Sequence, residues 1–356
     1  MKSSSGAHYV ALDHIRAIAL FMVFCWHFLH FGQSGYPIPH SYTPAVFPLA
    51  LLDEGHTGVA LFMTLSGYLF TKLLDGKNID YRLFLRNRAL RLFPLLIIII
   101  IVNGCISLAA RKDPVAYIFS MISGLISPVW PNGGWSITAE LHFYIILPFI
   151  LKLARSSKAR LTGIIVAAVI VRLLLYRVLG EIQYLSYWTI IGRIDQFTLG
   201  IIGYYARGLF KKKHLLFMAS SLLFMLFYWF FDRYGGYYQS QSIWIFMPTI
   251  EGVAYAIFIA WYDTSFQLSN TGLSKVIGKV GELSYSIYLI HYFFVFKLAK
   301  FINDHIVQLD NFYIACLAAF FGLILMLPLG YLSYRCIEQP FLKFRKKYTL
   351  PLPATP

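Results

Sequence analysis

Arg16 and His27 share one apolar run, which opens Leu12-Asp13-His14-Ile15-Arg16 and closes Phe24-Cys25-Trp26-His27. Eleven residues separate them, close to three α-helical turns, so both side chains leave one face about 16 Å apart along the axis. The run reads as a membrane span, and ionisable groups inside a bilayer are paired, hydrated or functional. A guanidinium suits phosphate through its planar fork of donors, although near a membrane surface it also serves as a snorkelling anchor. A neutral imidazole takes a proton from a hydroxyl and returns it to a leaving group. One helix face therefore carries an anion grip near one surface and a base deeper in, an arrangement that suits chemistry across a membrane. The expectation is a hydrated shaft leading from Arg16 to His27. Asp13 is read as the N-cap of the helix. His30, three residues beyond His27, adds a second imidazole to the same stretch.

Further ionisable groups recur in apolar surroundings. Arg88 and Arg91 stand at i and i+3 where the third span begins, as topology anchors or as a second phosphate grip. In Gly133-Gly134-Trp135-Ser136-Ile137-Thr138-Ala139-Glu140, Ser136 is read as a helix cap and Trp135 as an interfacial ring. Glu140 falls one turn into that span from the outer side and needs a partner there, as support or as an acceptor-binding group. Arg193 and Asp195 are opposite charges inside the sixth span. Tyr288 and His291 follow Ser284 and Tyr285 at near-helical spacing, and Glu338 precedes Pro340. Ion pairing within a bundle explains each alone; together they outline a polar lumen.

The positioning elements follow from composition. Of 356 residues, 58% are hydrophobic and 13% charged, with a mean hydropathy of +0.63, whereas soluble domains carry about 25% charged residues. The fold class read from this is all-α, a polytopic transmembrane helical bundle. Continuous apolar runs such as Leu92 to Val102 exclude the alternating pattern of a membrane barrel. About ten spans are expected, near 14–33, 55–74, 92–110, 137–152, 161–179, 185–206, 214–231, 243–262, 283–302 and 312–335. Residues 117–129 read as a re-entrant or interfacial segment. The formal charge of +15 sits in short loops on alternate sides, which puts both termini in the cytoplasm, engages membrane lipids and argues against nucleic acid. The chain reads as one transmembrane domain, 1–347, with a flexible tail, 348–356. Cys25, Cys105, Cys316 and Cys336 show no metal-ligand spacing, so no metal site is expected. No nucleotide-binding loop, dinucleotide fingerprint, zinc-protease motif or nucleophile elbow is present.

In order along the chain, the motifs resemble the acyltransferase-3 family of bacterial membrane acyltransferases. They are Leu12-Asp13-x-x-Arg16-Ala17 with His27 (Arg-x10-His), Leu61-Phe62-x-x-Leu65-Ser66-Gly67-Tyr68-Leu69 and Arg88-Ala89-Leu90-Arg91-Leu92-Phe93-Pro94. Then come Trp135-Ser136-x-x-x-Glu140-x-x-Phe143-Tyr144, Arg193-x-Asp195-x-Phe197-x-x-Gly200, Ser284-Tyr285-Ser286-x-Tyr288-Leu289-x-His291 and Glu338-x-Pro340. The resemblance implies transfer of an acyl group, most simply acetyl, from cytosolic acyl-CoA to a hydroxyl of a carbohydrate or lipid-linked saccharide such as an O-antigen, at the bacterial inner membrane. Acyl-CoA would be a co-substrate and no cofactor would be bound permanently. His27 and Glu140 would be catalytic, and Arg16, Arg88 and Arg91 would hold acyl-CoA. Asp13, His30, Trp135, Arg193, Asp195, Tyr288 and His291 would line or support the site. Two positions depart from the family pattern: His14 where glycine is common, and Leu141-His142 where Glu-Gln is common. Ending soon after Pro340, the chain resembles the stand-alone form without an SGNH-type domain. The residues by themselves leave open a secondary transporter or exporter of a polar glycan precursor, which would show inverted repeats and work without acyl-CoA, or a membrane scaffold.

Overall fold

A computed structural model describes residues 9–30, 37–239 and 242–350. The chain is an all-α bundle. Its main helices are α1 (Val10–His30), α2 (Gly58–Leu74), α3 (Tyr81–Ala109), α4 (Trp135–Ser156), α5 (Ala159–Leu179) and α6 (Ile190–Phe210). They continue with α7 (His214–Arg233), α8 (Met247–Ser265), α9 (Gly272–Glu282), α10 (Ser284–Ile290), α11 (Val295–His305) and α12 (Phe312–Ser333). Polar residues set several starts by accepting from the first free backbone N–H groups. Asp80 does so for α3, Thr189 for α6 and Asn311 for α12.

Among the described residues seven helices are long and apolar enough to cross a membrane, and α10 with α11, bent by 61° across the turn His291–Phe293, adds an eighth if the pair is one span. α6 and α8, 21 and 19 residues long, are not among them, because they carry Arg193, Asp195 and Glu251 into the interior. These two helices make up the difference from the ten spans expected from the sequence. The segment 117–129 forms the end of a short exposed helix, Pro114–Ser123, and the turns after it.

α1 and α2 lie at the centre of the bundle. In the most apolar windows of α1 and of Gly55–Leu74, which contains α2, 72% and 78% of residues are buried, against 17% for α5 and α7, which face outward. α2 and α6 cross at backbone contact. A Cβ on Gly67 would lie 2.0 Å from the Phe197 carbonyl oxygen, and one on Gly200 2.0 Å from that of Thr64, so only glycine fits on either side. α9 closes on the start of α1 in the same way, Gly281 lying under the Asp13 backbone. His14 ties that contact together: its ring nitrogens meet the Tyr262 hydroxyl at 2.9 Å and the Ser274 carbonyl at 2.8 Å.

After α12 the chain makes a five-residue π turn, Tyr334–Glu338, and folds back. Tyr348 is buried, and Thr349–Leu350 pairs antiparallel with Asn78–Ile79. The start of the expected loose tail is therefore seated in the bundle; residues 351–356 of that tail lie outside the described residues.

Candidate active site

α1, α2, α3, α4 and α10 line a cavity that is partly open to the surroundings, with about 1310 Å³ of atom-free space when the open part is included. Arg16, Arg88, Arg91 and Glu140 line it, together with Ser66, Tyr144, Tyr285, Tyr288 and Arg345. Val59, Phe62, Met63, Leu69 and Leu92 supply an apolar wall. Five separate motifs of the sequence thus meet on one void.

Each arginine is held differently. Arg16 pairs with Asp13 one turn earlier, and Asp13 is fully buried. Because α1 begins at Val10, Asp13 lies inside the first turn, where the helix dipole favours an acid, and is not the N-cap. Arg91 pairs with buried Glu338, which the π turn presents and which also accepts from the Ser286 hydroxyl. The Arg91 guanidinium lies 5.1 Å from the Tyr285 ring centroid. Arg88 has no carboxylate partner among the described residues. It lies 5.0 Å over the Phe70 ring, and its Nε is buried without a hydrogen-bond partner. Arg345, read in the sequence only as a loop charge, arrives from the returning chain. Burial, reinforced by Arg88 and Arg91, pushes its guanidinium below its ordinary value. Like charges gathered at one mouth are relieved by a bound anion.

Glu140 accepts from the Tyr144 hydroxyl and, at 3.3 Å, from Ser66. It lines the same cavity as Arg88 and Tyr144. Trp135 sits in an outer aromatic layer, 5.0 Å from the Tyr187 ring and 4.7 Å from that of Trp188, and is not a cavity residue. Ser136 is the second residue of α4, and its hydroxyl donates back to the Gly133 carbonyl, so it is not the cap.

His27 lies beyond the cavity. Its Nδ1 is 2.9 Å from the Val23 carbonyl and 3.2 Å from His291 Nε2. Tyr288 lines the cavity; its hydroxyl donates to the Gly133 carbonyl at 3.2 Å and its ring meets Phe62 edge-on. Tyr288 and His291 ring centroids are 6.1 Å apart. The cavity that Arg16 lines does not take in His27, so the open shaft expected between them is not seen as one void; Tyr288 lies beside His291, which contacts His27.

Three expected site residues belong to the scaffold. His30 clasps the outer segment to α1, with Nδ1 3.0 Å from the Ile38 carbonyl and Nε2 3.1 Å from Asp53. Arg193 and Asp195 do not pair, because residues two apart on a helix face away from each other. Asp195 binds Arg172 of α5 at 2.8 Å and accepts from Thr249 at 2.5 Å. Arg193 reaches the Tyr187 carbonyl and Gln196, with Glu251 4.0 Å away. Arg172 and Glu251, both buried, complete networks that the sequence reading did not single out.

Comparison with known proteins agrees with this layout. Residues 9–335 match the profile of a family described as "Acyltransferase domain". A Staphylococcus aureus protein provisionally named an O-acetyltransferase is 26% identical over 342 residues, covering 82% of this chain and 53% of that protein. Bacillus subtilis YrhL, provisionally named a peptidoglycan O-acetyltransferase, is 26% identical over 338 residues, covering 82% and 49%. A provisionally named acetyltransferase of Acidianus two-tailed virus is 25% identical over 264 residues, covering 71% and 77%. The chain thus spans about half the length of the two bacterial relatives. No solved structure matches it.

Proposed function

The chain belongs to the acyltransferase-3 family, and from that premise we propose that it is a membrane O-acyltransferase. It moves an acetyl group from cytosolic acyl-CoA to a hydroxyl of a cell-surface glycan or lipid-linked saccharide, at the bacterial inner membrane. The observation that carries this reading is the convergence of Arg16, Arg88, Arg91 and Arg345 on one cavity with an apolar wall. Coenzyme A needs both halves of that lining. Its phosphates suit guanidinium donors, and its pantetheine arm suits the apolar side.

In this reading His27 is the catalytic base. A sugar hydroxyl attacks the thioester carbonyl while His27 takes the hydroxyl proton. The carbon–sulfur bond breaks, and the proton passes to the departing thiolate. The products are an O-acetyl ester and coenzyme A thiol. Tyr288 lines the cavity, packs against Phe62 and lies beside His291, and in this reading it is the gate between the cavity and the imidazole. Glu140, fixed by Tyr144 and Ser66, orients the cavity's polar wall rather than the acceptor.

Purified protein in nanodiscs, titrated with acetyl-CoA, tests the reading. Saturable binding that coenzyme A displaces is expected. Absence of binding, with transport of a glycan precursor by the same preparation in liposomes, would overturn it.

A further inference from the structure

We propose that His291 is a positioning residue for His27, holding that ring, together with the Val23 carbonyl, in the tautomer that keeps Nε2 unprotonated; the inference rests on His27 being the base. The argument is one of donors and acceptors. A backbone carbonyl only accepts, so a ring nitrogen 2.9 Å from the Val23 oxygen must carry the proton. His27 is then protonated on Nδ1, and its lone pair is on Nε2. The same logic fixes His291: its Nδ1 is 2.7 Å from the Tyr288 carbonyl and 3.1 Å from that of Ile287. His291 is therefore also protonated on Nδ1 and offers only a lone pair at Nε2. That lone pair faces His27 Nδ1 at 3.2 Å. One N–H is thus held between two acceptors, and the ring cannot exchange tautomers without losing both.

The surroundings keep this arrangement rigid. His291 is 1% exposed and stands where α10 ends, at the bend before α11. Its ring packs 5.8 Å from that of Phe24, on the same helix as His27. His291 itself does not line the cavity, so it acts through His27. When His27 takes the hydroxyl proton at Nε2, the imidazolium keeps its Nδ1–H on the same two acceptors. Passing the proton on to the thiolate restores the starting tautomer, so no net proton is gained or lost. A neutral acceptor does here what a carboxylate does for a catalytic histidine elsewhere.

The experiment compares His291→Phe and His291→Gln with wild type and His27→Ala. Inside-out membrane vesicles are given radiolabelled acetyl-CoA, and kcat and KM are measured at equal amounts of folded protein. Phenylalanine keeps the ring packing and removes the acceptor; glutamine keeps an acceptor oxygen near the Nε2 position. His291→Phe is expected to lower kcat about 10- to 100-fold, on the scale of losing the outer partner of a metal-binding histidine, with KM unchanged. His291→Gln is expected to recover most of kcat, a pattern that a packing role would not give. Full activity of His291→Phe, failure of glutamine to rescue it, or a rise in KM with kcat intact would each overturn the positioning role while leaving His27 as the base. Activity in His27→Ala would bring down the reading of His27, and this inference with it.

Discussion

Replacing Arg88 with alanine should separate ligand binding from stability more cleanly than any other change at the cavity. Arg88 has no carboxylate to leave behind among the described residues, and its Nε has no partner to orphan. What the fold loses is packing of the guanidinium over Phe70, Phe84 and Tyr144, at 5.0, 5.8 and 5.9 Å, and a hydrogen bond to Tyr144, about 1–2 kcal/mol. What an acyl-CoA complex loses is a hydrogen bond to a charged phosphate, about 1.5–3 kcal/mol. At about 1.4 kcal/mol per tenfold, the dissociation constant for acetyl-CoA should rise about 10- to 150-fold, with little change in the thermal midpoint. Arg91→Ala supplies the contrast, because it strands buried Glu338 and so costs about 3–5 kcal/mol of stability. Calorimetric titration and thermal unfolding, both in nanodiscs, measure the pair. Wild-type affinity in Arg88→Ala, or equal destabilisation by both changes, would refute the reasoning.

Two other perturbations follow from the geometry. Tyr288→Trp enlarges the ring that lines the cavity beside His291, so acetyl-CoA should bind normally while turnover falls; turnover equal to wild type would show that Tyr288 is no gate. Arg172→Met leaves Asp195 without its guanidinium in the interior, which should cost about 3–5 kcal/mol. Adding Asp195→Leu should restore much of that loss, as read from the unfolding midpoints of the single and double variants.

Much of this layout is legible in the sequence, for definite physical reasons. Long apolar runs fix the helices, and eleven-residue spacing puts Arg16 and His27 on one face of α1. Arg88 and Arg91, one turn apart, reach the cavity that Arg16 also lines. The residues that elude such a reading are joined by tertiary contacts. Asp195 finds Arg172 on another helix because Arg193, two residues away, faces elsewhere. Arg345 enters the cavity only because the chain turns back after the π turn at Tyr334–Glu338. Helical periodicity aligns Arg16 with His27 but says nothing of whether one void joins them, and the cavity that Arg16 lines does not take in His27.

The central claim, that acetyl groups leave acyl-CoA by way of His27, is tested most directly by label transfer. Inside-out vesicles carrying wild type or His27→Ala receive radiolabelled acetyl-CoA, and label is counted in the glycan fraction. Transfer by wild type is expected, with none above background for His27→Ala despite unchanged acetyl-CoA binding. Equal label with both proteins would contradict the account.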